Sequence, residues 1–357
     1  MNHDMLSLLH TRVRRNYRGG IHIDALEGID PPVVSDRPEE WIASLVPARN
    51  PGMDAIEGEG LTQTVVDGRT RFLRDVIQDD SQWWTGRKTA EVGFLFKILD
   101  AGMRLHVQAH PTAQFAQAHL GSRFGKRECY YMLDCGPTHE GYIRLGFQHA
   151  PSREEWKEII QTQDIPKMDA CFEPIPVHPG EVWMIHGGVP HAIGGGILML
   201  EIMEPSDLVM RCEFEREGIV VPPEARFMHR SLDFCLDIFD YRQYRVDQVR
   251  GTFQLQPQTI ISQPGIQYDT LVPQSKAGVF EVRRLRLTDH ASLTLDVPSA
   301  LAVLAIHGET EATTTHDHLT LHPAQSAMVA QAAHTLTLTT HTPTSELCLV
   351  YDRLGEG

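Results

Sequence analysis

Arg104-Leu105-His106-Val107-Gln108-Ala109-His110-Pro111 is the stretch on which the reading of the fold turns. In an extended strand successive side chains point to opposite faces, so His106, Gln108 and His110 share one face. Three polar groups alternating with Val107 and Ala109 need partners, water or a metal ion. Taken alone, the pattern fits a solvated surface strand equally well.

Two further pieces lie downstream. Gly180 is followed by five residues and then His186-Gly187-Gly188-Val189-Pro190-His191. That spacing matches the second cupin motif, G-x5-P-x-G-x2-H, with His186 in place of the proline. In that motif a tight glycine turn brings the last histidine to face into a barrel. Glu128 supplies a carboxylate between the two histidine-bearing segments. Gln108, His110, Glu128 and His191 together form a nitrogen and oxygen ligand set with room for water or substrate oxygens, which suits a catalytic metal better than a structural one.

These residues also carry a likeness. The chain resembles the type I mannose-6-phosphate isomerases, particularly their shorter bacterial members, from about Tyr17 to Arg216 and more weakly beyond. The matching stretches are FLFKILDA (94–101), VQAHP (107–111), GKRECYY (125–131), PHAIGGGILMLE (190–201) and the E-x-S-D-x-x-x-R pattern from Glu204 to Arg211. The resemblance implies one Zn²⁺ per chain held by Gln108, His110, Glu128 and His191. It implies Arg211, Lys126 and Glu201 as catalytic residues, and His106, Lys126 and Arg211 as substrate contacts. It implies a metal-dependent aldose–ketose isomerase that interconverts mannose 6-phosphate and fructose 6-phosphate, or a related sugar phosphate, through an enediol. The general base stays open between Glu201, a metal-bound water and a lysine.

One position departs from the family. A serine associated with the substrate's phosphate is usual where this chain has His106. An extra metal ligand, a phosphate partner and a packed barrel histidine are all open to it. Two other functions fit the residues. One is a non-catalytic sugar-binding or sensing cupin. The other is a non-haem iron cupin oxygenase, built on His110, Glu128 and His191, against which a fourth ligand at Gln108 counts.

The fold expected is mainly β with α insertions, as two cupin (double-stranded β-helix, or jelly-roll) units joined by a helical segment. Residues 1–220 form the metal-binding unit, 221–267 a helical connector and 268–357 a second, metal-free cupin-like unit. Strands are expected at 93–101, 197–202, 279–287, 300–306 and 333–339. Helices are expected at 112–120, at 152–161 with a Ser152/Glu155 capping box, around 69–84 and across 226–244. His22 is read as the solvent side of a half-buried strand, His316 and His318 as exposed, and Glu40-Trp41 either as resembling a motif that the family has near its active site or as a buried indole beside a surface carboxylate.

Composition narrows the field. Hydrophobic residues at 41% and charged residues at 22% describe an ordinary globule, and no run approaches the roughly 20 apolar residues of a membrane span. The basic residues Arg12, Arg14, Arg15 and Arg18 follow the first apolar patch instead of preceding it, unlike a secretory leader. Six cysteines without a C-x-x-C pair read as free thiols in a reducing, cytoplasmic setting. A formal charge of −15 disfavours nucleic acid and anionic membranes. It also requires a local basic cluster for a phosphate, for which Arg123, Lys126, Arg127 and Arg211 are the candidates, with solvated surface the alternative for Arg123 and Arg127. A monomer is expected, with the second unit covering an edge of the first.

Overall fold

Strands such as Leu95–Ala101 (LFKILDA) and Ile197–Met203 (ILMLEIM) are buried along their whole length, because both faces of their sheet are covered. The computed structural model describes residues 3–136 and 141–355 and stacks four sheets in series. A five-stranded sheet contains Gln108–Ala109, Tyr142–Leu145, Ile175–Pro176, His191–Ile193 and Met210–Arg211. It faces a seven-stranded sheet centred on Glu128–Asp134, Ile197–Met203 and Leu95–Ala101. Between the two lie Tyr130, Met132, Ile143, Leu145, Trp183, Ile193, Met199 and Leu99. The fold is thus mainly β and of the cupin type, as expected.

The outer face of the same seven-stranded sheet carries Phe96, Ile98, Cys129, Tyr131, Leu200 and Ile202. These pack in one cluster with Val282, Ala302, Leu304, Cys348 and Val350 of a second seven-stranded sheet. Exposing the first six alone would cost on the order of 10 kcal/mol, comparable with the whole net stability of a typical domain. The far side of the second large sheet packs Leu285, Leu301, Val303 and Leu349 against Leu295, Ala312, Leu336 and Leu338 of a four-stranded sheet. A face of the first large sheet is therefore covered, and not merely an edge. The segment Met5–Ser7 crosses over to pair with Ser326–Val329, so the chain's first strand belongs to the second large sheet.

Local signals in the sequence explain several elements. Thr112 caps the helix Ala113–His119 by accepting a hydrogen bond from the Phe115 amide. Ser152 and Glu155 form the reciprocal capping box of Arg153–Thr162, whose Trp156 packs edge-on against Phe147 with ring centroids 5.1 Å apart. Elsewhere the apolar spacing misleads. The 226–244 stretch holds only the helical turn Leu232–Cys235 and the 3-10 turn Leu236–Ile238. Met228 and His229 take positive φ values of 53° and 59°, which a helix does not allow. Arg69–Phe72 is a strand paired with Gln63–Val66, and the helices Leu73–Asp79 and Ser81–Thr85 follow it. His22 opens the short helix His22–Leu26, because Asp100 accepts hydrogen bonds from its backbone amide and meets its Nδ1 at 2.9 Å. All six cysteines are free and buried.

Candidate active site

Only Gln108–Ala109 of the polar-faced stretch is strand, but that short piece organises the site. Gln108 is paired with His191 on one side and with Arg211 on the other, so three separate segments present side chains at one level. Across the barrel, Glu128 lies on the facing sheet. His110, Glu128 and His191 converge there, all buried. His110 Nε2 is 3.1 Å from Glu128 Oε1, and His191 Nε2 is 3.6 Å from Glu128 Oε2. The Gln108 amide lies 3.4 Å from His191 Nε2. Ligands held at about 2.1 Å from one tetrahedral ion are about 3.4 Å apart, so the His110–Glu128 and His191–Glu128 spacings fit a common metal.

Tautomers fit as well. His110 Nδ1 donates to the Leu208 carbonyl and His191 Nδ1 to the Val189 carbonyl, each at 2.9 Å, which leaves both Nε2 lone pairs facing the cluster. Burial and the adjacent Lys126 ammonium push His110 down to about 3, so it is a neutral donor at physiological pH. Despite complete burial, Glu128 is held well below the usual carboxylate range by Lys126 and His110. Tyr130 donates to Glu128 Oε2 at 2.8 Å. Lys126 donates to Glu128 and, at 3.1 Å, to His110 Nε2. The gathered residues thus fit a borderline divalent ion such as Zn²⁺.

Beside this cluster runs a pocket lined by Arg15, Tyr17, Glu39, Lys97, Glu201, Asp207 and Arg211, together with His106, Gln108 and Lys126. Its charges are paired in a chain. Arg15 makes a two-pronged contact with Asp207, both bonds 3.0 Å, and donates to Glu39 at 2.9 Å. Tyr17 and the Trp41 indole also donate to Glu39, at 2.6 and 2.7 Å. Lys97 Nζ lies 3.0 Å from Glu201 and 3.4 Å from Glu39. Burial raises Glu201 to about 7 even with Lys97 opposing it. Burial and Arg15 lower Arg211 to about 10, and Arg211 donates to the Ala225 carbonyl at 2.7 Å.

Every residue singled out from the sequence can now be placed. Gln108, His110, Glu128 and His191 come together, and Lys126, Glu201, Arg211 and His106 border the same pocket. His106 lies outside the His110–Glu128–His191 cluster. Its Nε2 is 3.4 Å from the Ile219 carbonyl, and burial pushes it down to about 4, so it is neutral. Arg123 is instead exposed and paired with Glu91, and Arg127 donates to the Lys276 carbonyl, so neither supplies the pocket's positive charge. Arg15 and Lys97 do. Sequence reasoning missed both, along with Tyr17, Glu39 and Asp207. Lys97 was detectable, as the one cation inside a seven-residue buried strand. Asp207 lies inside the quoted Glu204–Arg211 pattern.

Fold and site together define a cupin-type protein with a buried group of residues that could hold a metal ion beside a charged pocket. No protein-family model matches the chain. A probable mannose-6-phosphate isomerase of Bacillus subtilis (strain 168) is 38% identical over 117 residues, 33% of this chain and 35% of that protein. The chain thus spans about a third of the length of that curated relative. Along nearly its whole length it has the fold of the mannose 6-phosphate isomerase from Bacillus subtilis, with a TM-score of 0.76, 19% identity, and coverage of 98% of this chain and 100% of that one. A zinc-bound mannose 6-phosphate isomerase gives a TM-score of 0.71 at 16% identity, with 99% and 100% covered.

Proposed function

We propose that the chain is a zinc-dependent isomerase that interconverts mannose 6-phosphate and fructose 6-phosphate. The observation that carries this reading is the buried Lys97–Glu201 pair beside the converged Gln108, His110, Glu128 and His191. The likeness to proteins named for this reaction points the same way. Those four residues would hold one Zn²⁺, which when bound supplies Lewis-acid polarisation of the sugar's oxygens and offsets negative charge on them.

The chain's own residues would do the rest. Moving a proton between carbons 1 and 2 needs a base whose pKa lies near neutrality, and Glu201 at about 7 meets that need. Lys97 holds Glu201 in place and favours its charged form. Lys126, between the ligands and the pocket, is placed to balance charge on the enediol oxygens. Arg211 has the charge and position to bind and orient the sugar phosphate. The neutral His106 would act as a hydrogen-bonding wall of the pocket. We assign residues 1–220, except the strand Met5–Ser7, to the catalytic unit, 221–267 to the connector, whose strand Gln258–Gln263 already joins the second large sheet, and 268–357 to the metal-free unit.

Six free, buried thiols suit a cytoplasmic protein. A monomer suits a catalytic sheet whose outer apolar face is already covered within the chain. Among the described residues no helix is long and apolar enough to cross a membrane. The test is a coupled assay for fructose 6-phosphate formation from mannose 6-phosphate, with metal counted on the same preparation. Chelator-sensitive turnover with zinc near one per chain is expected. Full zinc without turnover on any hexose phosphate would refute the enzyme and favour a binding cupin.

A further inference from the structure

The strand Glu39–Ile42 has a second chemical face. Glu39 enters the charged pocket, and its neighbour Glu40 points the other way, as alternation in a strand requires. Glu40 is 3% exposed, so the surface carboxylate expected from the sequence is in fact buried. One oxygen accepts the Thr11 amide at 2.5 Å, and the other, Oε2, is buried without a hydrogen-bond partner. A buried carboxylate oxygen with no donor is costly and needs a positive group.

Two more ligand atoms meet Glu40. His10 Nδ1 lies 3.6 Å from Glu40 Oε1 and 3.5 Å from Glu27 Oε1. Those separations exceed the usual 2.7–3.2 Å of a hydrogen bond. They match the roughly 3.4 Å spacing of two ligands on one tetrahedral ion. All three ligand atoms lie within 4.8 Å of one another, and His10 is exposed, which leaves an approach from solvent. Among the described residues, His10 is the one base within ion-pair distance of Glu40. Arg12 reaches Glu27 at 3.5 Å but is engaged more closely, with Asp24 at 3.0 Å and with the Arg37 carbonyl. The trio therefore sets two carboxylates against a single guanidinium that it shares with Asp24.

We propose that His10, Glu27 and Glu40 form a second divalent-cation site, separate from the candidate active site and on the opposite face of the strand Glu39–Ile42. One imidazole and two carboxylates suit a borderline transition-metal ion of the Zn²⁺ or Mn²⁺ class better than Ca²⁺ or Mg²⁺. Bound there, the ion ties the end of the helix His22–Leu26, through Glu27, to the edge of the catalytic sheet. It would stabilise the strand that carries Glu39 without touching substrate.

The test counts metal. Folded protein is equilibrated with excess Zn²⁺, passed through metal-free buffer, and its zinc per chain measured by plasma mass spectrometry beside a thermal melt. Wild type should hold two zinc ions, while His10→Ala and Glu27→Gln should each hold one. His191→Ala should also hold one, having lost the other ion, and His10→Ala/His191→Ala should hold none. The second equivalent should raise the melting temperature of wild type and not of His10→Ala. His10 is exposed and Glu27 partly so, which keeps these variants folded. One zinc in both wild type and His10→Ala would overturn the proposal and leave the trio as an ion-pair cluster. Two in His10→Ala would overturn it by placing the extra ion elsewhere. Because the His191 and His10 variants report separately, failure at either site is visible on its own.

Discussion

Replacing Lys97 with methionine removes a buried ammonium while nearly preserving its shape. Lys97 Nζ stands 3.0 Å from Glu201, and both groups are almost fully buried. At an effective dielectric constant of about 20, that contact amounts to about 5 kcal/mol of attraction between the charged forms. A shift of 1.36 kcal/mol equals one pKa unit, so losing even half of that energy takes Glu201 from about 7 to well above neutrality. The carboxyl then carries a proton at pH 7 and no longer serves as a base. General-base catalysis is worth roughly 10²–10⁴-fold, and kcat should fall by that much at pH 7. In wild type, kcat should decline as pH drops through about 7, because the base must be ionised. In Lys97→Met that acid limb should move to higher pH, with zinc content unchanged. The coupled isomerase assay run from pH 6 to pH 9.5 reads both effects. A variant within about tenfold of wild type, with its acid limb unmoved, would refute Glu201 as the base held by Lys97.

His191→Ala should lose the active-site zinc and turnover together, while Arg211→Ala should keep its zinc and lose turnover. Metal counting beside the assay separates the two, and full zinc occupancy in the first would sink its role as a ligand. The hydrogen bond to Asp100 raises His22, so its contribution to stability is full below the unfolded pKa and fades as pH rises through the higher folded value. Urea melts should therefore show His22→Ala costing more at pH 5.5 than at pH 8.5, and an equal cost would contradict the pairing. Ser152→Ala removes one half of the capping box on Arg153–Thr162 and should cost about 1 kcal/mol, measurable by the same melts.

The parts of this chain that were legible in the sequence are those governed by neighbours a few residues away. The helix at 112–120, the Ser152 cap, the glycine turn before His191 and the shared face of His106 and Gln108 are of that kind. The failures share a cause too. Phe227, Leu232, Phe234 and Phe239 have helix-like spacing, yet they reach a common apolar cluster from one short helical turn and the irregular chain around it, so tertiary packing overrode the period. Arg15 and Glu39 belong to the pocket because of pairing between distant strands and an ion pair to Asp207, 192 positions away. Glu201 was legible through the family resemblance, whereas Lys97, a lone charge within an apolar run, was not picked out. What sets them directly opposite each other is the strand register. Of the two readings of Glu40, the surface one fails, although a residue preceding a buried tryptophan on a strand normally faces water. Here the returning residues 10–12 and the Glu27 carboxylate cover that side.

The strand Met5–Ser7 has a consequence for synthesis. Its partner, Ser326–Val329, is made about 320 residues after it. At 5–20 residues per second that is an interval of roughly 15–60 seconds. Through that interval Met5 and Leu6, almost fully buried in the finished molecule, have no sheet to join. The half that carries His110, Glu128 and His191 can assemble while the nascent chain is still lengthening, with Met5–Ser7 unmoored. Closure of the second large sheet then draws Met5–Ser7 in and fastens it, so the synthesis of Ser326–Val329 is the event that allows the two halves to lock together.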